Sequence, residues 1–144
     1  MKTTAVNSLT KNLSIWVLAT VIIFSFQSCA TKAIFLTSSV VPAAQGEVTI
    51  KKNKNNNFAI KIDISDLAEI DRLEPPKKGY VVWMESDRGF TSNIGQITSS
   101  NRLNASFETS ATLRPTKIFI TAEDDIGVQY PGSMVVLTTD RIYE

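Results

Sequence analysis

Glu47-Val48-Thr49-Ile50-Lys51 and Phe58-Ala59-Ile60-Lys61-Ile62-Asp63-Ile64, flanking Asn53-Lys54-Asn55-Asn56-Asn57, decide how this chain folds. Both flanks alternate polar and apolar residues, and Phe58, Ile60, Ile62 and Ile64 share one face. Side chains along a strand point to opposite faces in turn, so strict alternation describes strands with one buried and one wet face. Asparagines tolerate left-handed backbone angles, which suits a hairpin tip. The stretch predicts an antiparallel hairpin.

Working outward, the same short-strand grammar recurs. Ala33-Ile34-Phe35-Leu36 predicts a first strand, and Pro42 and Gly46 break the segment that leads to the hairpin. Ser65 to Leu73 fits a short helical turn, ended by Pro75-Pro76. Tyr80-Val81-Val82-Trp83-Met84-Glu85 is apolar at nearly every position, which predicts a central strand covered on both faces. Trp83 is expected in the sandwich core, with at least one side against the opposing sheet. Asp87-Arg88-Gly89 is a turn, and Gly95 within Ile94-Gly95-Gln96-Ile97 suggests a bulge or a close approach. Leu103 to Glu108, Lys117 to Ala122 and Met134 to Thr138 complete the strands, with Tyr130-Pro131-Gly132 as a turn before the last. Phe35, Phe58, Phe107 and Phe119 all fall in strands and read as core.

Seven to eight short strands, with turn signals roughly every ten residues, predict an all-β chain. The expected fold is an antiparallel β-sandwich of immunoglobulin-like type, without the cysteine pair of true immunoglobulin domains. No repeat of solenoid or propeller length is visible.

The N-terminal segment has a different character. Lys2 and Lys11 precede an apolar run from Ile15 to Phe26, and Phe26-Gln27-Ser28-Cys29 closes it with the chain's only cysteine. The run is shorter than the roughly 20 residues a spanning helix needs, and it fits the basic and apolar regions of a secretory signal. It resembles a bacterial lipoprotein signal, which implies cleavage before Cys29 and lipid attachment to it. The expected organisation is a signal peptide over 1–28, lipidated Cys29 and a short tether over 29–32, and a β-sandwich over 33–144. Loss of Lys2 and Lys11 leaves 13 basic and 14 acidic residues, a net charge of −1. A near-neutral domain offers no overall basic field for nucleic acid.

Candidate chemistry is sparse. The sequence has no histidine, which removes the commonest general base at neutral pH. With Cys29 acylated no thiol remains for zinc or nucleophilic catalysis. No Gly-rich phosphate loop of Walker or Rossmann type is present. Glu123, Asp124 and Asp125 are weak calcium candidates, because three adjacent carboxylates offer oxygen ligands but lack the alternate spacing of an EF-hand. The simpler reading is a solvated acidic turn. Lys51-Lys52-Asn53-Lys54 fits either contact with anionic headgroups or, more simply, a soluble hairpin tip. Tyr130 fits an exposed binding aromatic or the cap of a sandwich corner.

Tyr80-Val81-Val82-Trp83-Met84, Asn93-Ile94-Gly95-Gln96-Ile97, Ile118-Phe119-Ile120-Thr121-Ala122-Glu123 and Gln129-Tyr130-Pro131-Gly132 resemble the extracytoplasmic domain of anti-sigma-K factors. The resemblance spans roughly residues 79–138 and implies a β-sandwich. It does not carry anti-sigma activity, because the sigma-binding segment has no counterpart in the 14 residues before the apolar run. The chain also resembles the small lipoproteins of Bacteroidota. In that group acidic residues after the lipidated cysteine often mark surface export, and Ala30-Thr31-Lys32 here favour the outer membrane facing the periplasm.

These readings give an expected role as a lipid-anchored, non-catalytic binding or structural module of the cell envelope, without cofactor. Its partners would be the membrane, through the lipid, and an envelope protein or glycan, with no nucleic acid. The alternatives are an accessory sensory domain of an envelope-stress pathway and, further off, a carboxylate-dependent hydrolase.

Overall fold

The alternating stretch forms β2 (Gln45–Lys52) and β3 (Phe58–Ser65), paired antiparallel from Gln45 opposite Ser65 to Lys52 opposite Phe58. The asparagine tip closes on itself. The Asn53 side-chain oxygen accepts the Asn55 and Asn57 amides, both at 2.9 Å, and Asn56 takes a φ of 61°. The computed structural model describes residues 30–97 and 104–143. Cys29, the segment before it and Leu103 lie outside the described residues.

The other strands are β1 (Ala30–Ile34), β4 (Gly79–Ser86), β5 (Thr91–Ile97), β6 (Ala105–Ala111), β7 (Pro115–Glu123) and β8 (Val135–Thr138). They form two antiparallel sheets, ordered β1-β2-β3-β6 and β5-β4-β7-β8. The chain is therefore an all-β antiparallel sandwich. The turn expected after β3 is a 3-10 turn over Ile70–Arg72.

Three residues that read as a tether are already strand. Ala30, Thr31 and Lys32 belong to β1 and pair with Lys51, Ile50 and Thr49. The same chain then changes sheets, because Phe35 bridges to Thr139 and the Leu36 amide donates to the Thr138 carbonyl at 2.8 Å. That crossover ties β1 to β8 and closes one side of the sandwich. The opposite side closes where Gly95 of β5 meets Phe107 of β6. A Cβ on Gly95 would sit 2.7 Å from the Phe107 ring, and its φ of 140° suits glycine. The register between β4 and β5 shifts at Val82/Trp83, so Gly95 marks both the bulge and the close approach.

The core between the sheets takes Val48 and Ile50 from β2, the Phe58-Ile60-Ile62-Ile64 row from β3, Tyr80, Val82 and Met84 from β4, and Ile118 and Ile120 from β7. Each such side chain stabilises the fold by roughly 1.5–3 kcal/mol on full burial. β4 is covered on both faces, as its apolar run predicts, but the two covers differ. Its even-numbered residues face the opposing sheet. Val81 and Trp83 face outward, in a separate buried cluster with Phe119. Trp83 is fully buried but does not lie in the inter-sheet core. The expectation that it meets the opposing sheet is corrected: its cover is the segment that follows β7.

Candidate functional site

Along β7 the parity of the strand separates two kinds of residue. Ile118, Ile120 and Ala122 enter the core, and Phe119, Thr121 and Glu123 share the outer face with Trp83. The Trp83 and Phe119 rings stack at 6.2 Å between centroids, 14° from parallel. The segment between β7 and β8 folds back over this face, and Val128 packs on the Val81-Trp83-Phe119 cluster.

A polar chain runs beneath that segment. The Trp83 indole N–H donates to Thr121 Oγ1 at 2.8 Å. The Thr121 hydroxyl donates to Glu123 Oε1 at 2.5 Å. The Gly132 amide donates to the same oxygen at 2.7 Å. Glu123 is only 7% exposed, and its charge is met by these two donors. A buried carboxylate with charge-assisted bonds is far less costly than an unpaired one. A Cβ at position 132 would lie 2.6 Å from Glu123 Oε2, so a side chain there would displace that carboxylate.

Two further contacts fix the segment. Asn93 Nδ2 on β5 donates to the carbonyls of Ile126 (3.2 Å) and Val128 (3.0 Å). Lys77 Nζ reaches Asp124 Oδ2 at 2.7 Å. The segment is thus held at both ends and in the middle, while Tyr130 at its tip is 82% exposed. Of the two sequence readings of Tyr130, the geometry matches an exposed aromatic rather than a corner cap.

The three weak calcium candidates do not converge. Glu123 turns inward to Thr121 and Gly132, Asp124 pairs with Lys77, and Asp125 Oδ1 accepts the Gly127 amide at 2.9 Å. Among the described residues no group of three or more histidine, cysteine, aspartate or glutamate side chains is placed to hold a metal. The Trp83-Thr121-Glu123-Gly132 chain was not foreseen from sequence. Its signal was Thr121 and Glu123 at alternate positions of an otherwise apolar strand.

A concavity of about 670 Å³ lies on the outer face of the first sheet, at the end where β2 begins and β3 ends. It is lined by polar groups including Glu47, Asp63, Ser65 and Ser106, and no aromatic ring lines it. Lys51, Lys52 and Lys54 stand exposed at the hairpin end, away from both features. No protein-family model matches the chain, and neither the curated proteins nor the solved structures offer a match.

Proposed function

We propose that this protein is a lipid-anchored, non-catalytic binding module of the bacterial cell envelope, set on the outer membrane and facing the periplasm. The carrying observation is the braced segment after β7, which presents Tyr130 to solvent while Asn93 and Glu123 hold its backbone and Lys77 holds the Asp124 side chain. A preorganised loop with an exposed aromatic loses little conformational entropy on binding. Tyrosine is also among the residues that dominate binding energy at interfaces.

The accessory sensory reading rests on a narrower point. Trp83, Glu123 and Gly132, three of the residues that carry the resemblance to anti-sigma-K factors, meet in one hydrogen-bonded chain. In that reading the chain ties the loop to the strands that carry the resemblance.

The test is capture of envelope proteins by the intact lipoprotein, with Tyr130→Ala beside it. Loss of a specific partner at unchanged melting temperature is the expected result. Capture of the same proteins at the same yield by Tyr130→Ala would remove the loop from the binding role.

A further inference from the structure

The strand register sorts the charged side chains by end. Ala30 opens β1 opposite Lys51 of β2, so a lipid on Cys29 would leave the sandwich beside the β2–β3 hairpin tip. Three other connections reach the same end. β6 runs to Ala111, opposite Phe58, and passes to β7 through Arg114. The Asp87 amide donates to the Arg114 carbonyl at 3.0 Å, which brings in the β4–β5 turn. The Ile142 amide donates to the Thr116 carbonyl at 2.8 Å, which brings in the C-terminal segment.

Six basic side chains are exposed at this end: Lys51, Lys52, Lys54, Arg88, Arg114 and Arg141. Among the described residues none of them forms an ion pair; the half-buried Glu85, which lines a concavity with Arg114 and Arg141, is paired with Lys117. Asp87 and Asp140 are the exposed acids there. Phe90, in the β4–β5 turn, is 61% exposed. The balance at the far end is the reverse: Asp66, Asp71, Glu74 and Asp125 are exposed, Arg72 and Lys77 are engaged by Glu69 and Asp124, and among the described residues Lys78 is the one exposed basic side chain there outside an ion pair. A chain that is nearly neutral in total is strongly polarised along its strands.

We infer that the basic end is a second membrane contact, which seats the sandwich on anionic phospholipid headgroups beside the anchor. This rests on the lipid-anchor reading for its orientation, because β1 begins at Ala30, within that end. A basic surface beside a lipid anchor adds electrostatic attraction to anionic headgroups. Each lysine or arginine near an anionic surface multiplies partitioning by about five. Phe90 offers an apolar ring to the interface beside those charges.

The experiment uses residues 29–144 with Cys29→Ser, which contain every described strand and the whole described core but carry no lipid. Sedimentation with phosphatidylcholine vesicles, with and without phosphatidylglycerol, reads binding. The expected result is retention on the anionic vesicles alone, weakened by salt. Lys51→Glu/Lys52→Glu/Lys54→Glu should lower it at least tenfold. Lys61→Glu/Arg72→Glu/Lys78→Glu, with the same change in net charge, should lower it by much less. Equal binding to both vesicle types, no binding, or equal losses in both triple variants would overturn the inference. Palmitate-analogue labelling of the full chain and of its Cys29→Ser variant tests the anchor separately. Labelled Cys29 with failed vesicle binding leaves the anchor standing and removes the basic contact. Vesicle binding without labelling does the opposite.

Discussion

Replacing Thr121 by valine removes one hydroxyl and almost no volume, and the structure assigns that hydroxyl two bonds. It accepts the Trp83 indole N–H and donates to Glu123. Both partners are buried, so water cannot replace it without opening the loop. Valine leaves a buried N–H donor without an acceptor, at about 1–3 kcal/mol, and removes a bond to a carboxylate worth about 1.5–3 kcal/mol. The expected loss is about 3–5 kcal/mol, a large part of a total near 5–15 kcal/mol. Thr121→Ser keeps both bonds and gives up one methyl group, for about 1 kcal/mol. Urea titration of the soluble domain, followed by far-ultraviolet circular dichroism, separates them. With a slope of about 1–3 kcal/mol/M, the valine midpoint should fall by roughly 2 M. In a Trp83→Phe background the indole donor is already gone, so Thr121→Val should cost at least about 1 kcal/mol less there. A valine midpoint level with that of serine would show that the polar chain contributes nothing to stability, and the account of the braced loop would fail with it.

Trp83→Ala should destabilise the domain by about 3–5 kcal/mol, and proteolysis should then cut first within the 124–134 segment, which loses its floor. Cutting first at the β2–β3 tip would place Trp83 in support of the inter-sheet core instead. Burial raises the Tyr80 phenol to about 12, and its hydroxyl donates to the Ala68 carbonyl at 2.9 Å. Its folded pKa lies above the unfolded value near 10, so its contribution is intact below about pH 10 and is lost as pH rises toward 12. Wild type should therefore lose up to about 3 kcal/mol relative to Tyr80→Phe across that window. Parallel alkaline titration curves for the two proteins would contradict this.

The hairpin was legible because alternation encodes a face, and the Phe58-Ile60-Ile62-Ile64 row has only one way to be buried. The apolar run of β4 likewise announced two covers. It did not say what each cover was, and Trp83 was assigned to the wrong side. The parity of β7 held the missing information. Phe119, Thr121 and Glu123 alternate with Ile118, Ile120 and Ala122, and polar residues inside a buried strand call for a local cover with its own donors. Ala30 to Lys32 look like linker because small and polar side chains carry little strand signal. Their strand character comes from backbone pairing with Thr49 to Lys51. The basic end was illegible for a different reason. Lys51, Arg88, Arg114 and Arg141 are far apart in sequence, and only the strand register brings them to one end.

That register also fixes where the loop stands if the basic end lies on a membrane. β4 has eight residues and runs from the loop end to the basic end. At about 3.3 Å per residue it spans about 26 Å. Screening at physiological salt reduces a surface potential over about 8 Å. Lys51, Lys52 and Lys54 would sit inside that layer, and Asp66, Glu74 and Asp125 well outside it. The opposite seating would press those acids onto anionic headgroups and hold Tyr130 against the bilayer. On the proposed seating, anchoring at Cys29, attraction at the hairpin and repulsion of the far end would select the same orientation. It leaves the braced aromatic on the side open to a partner.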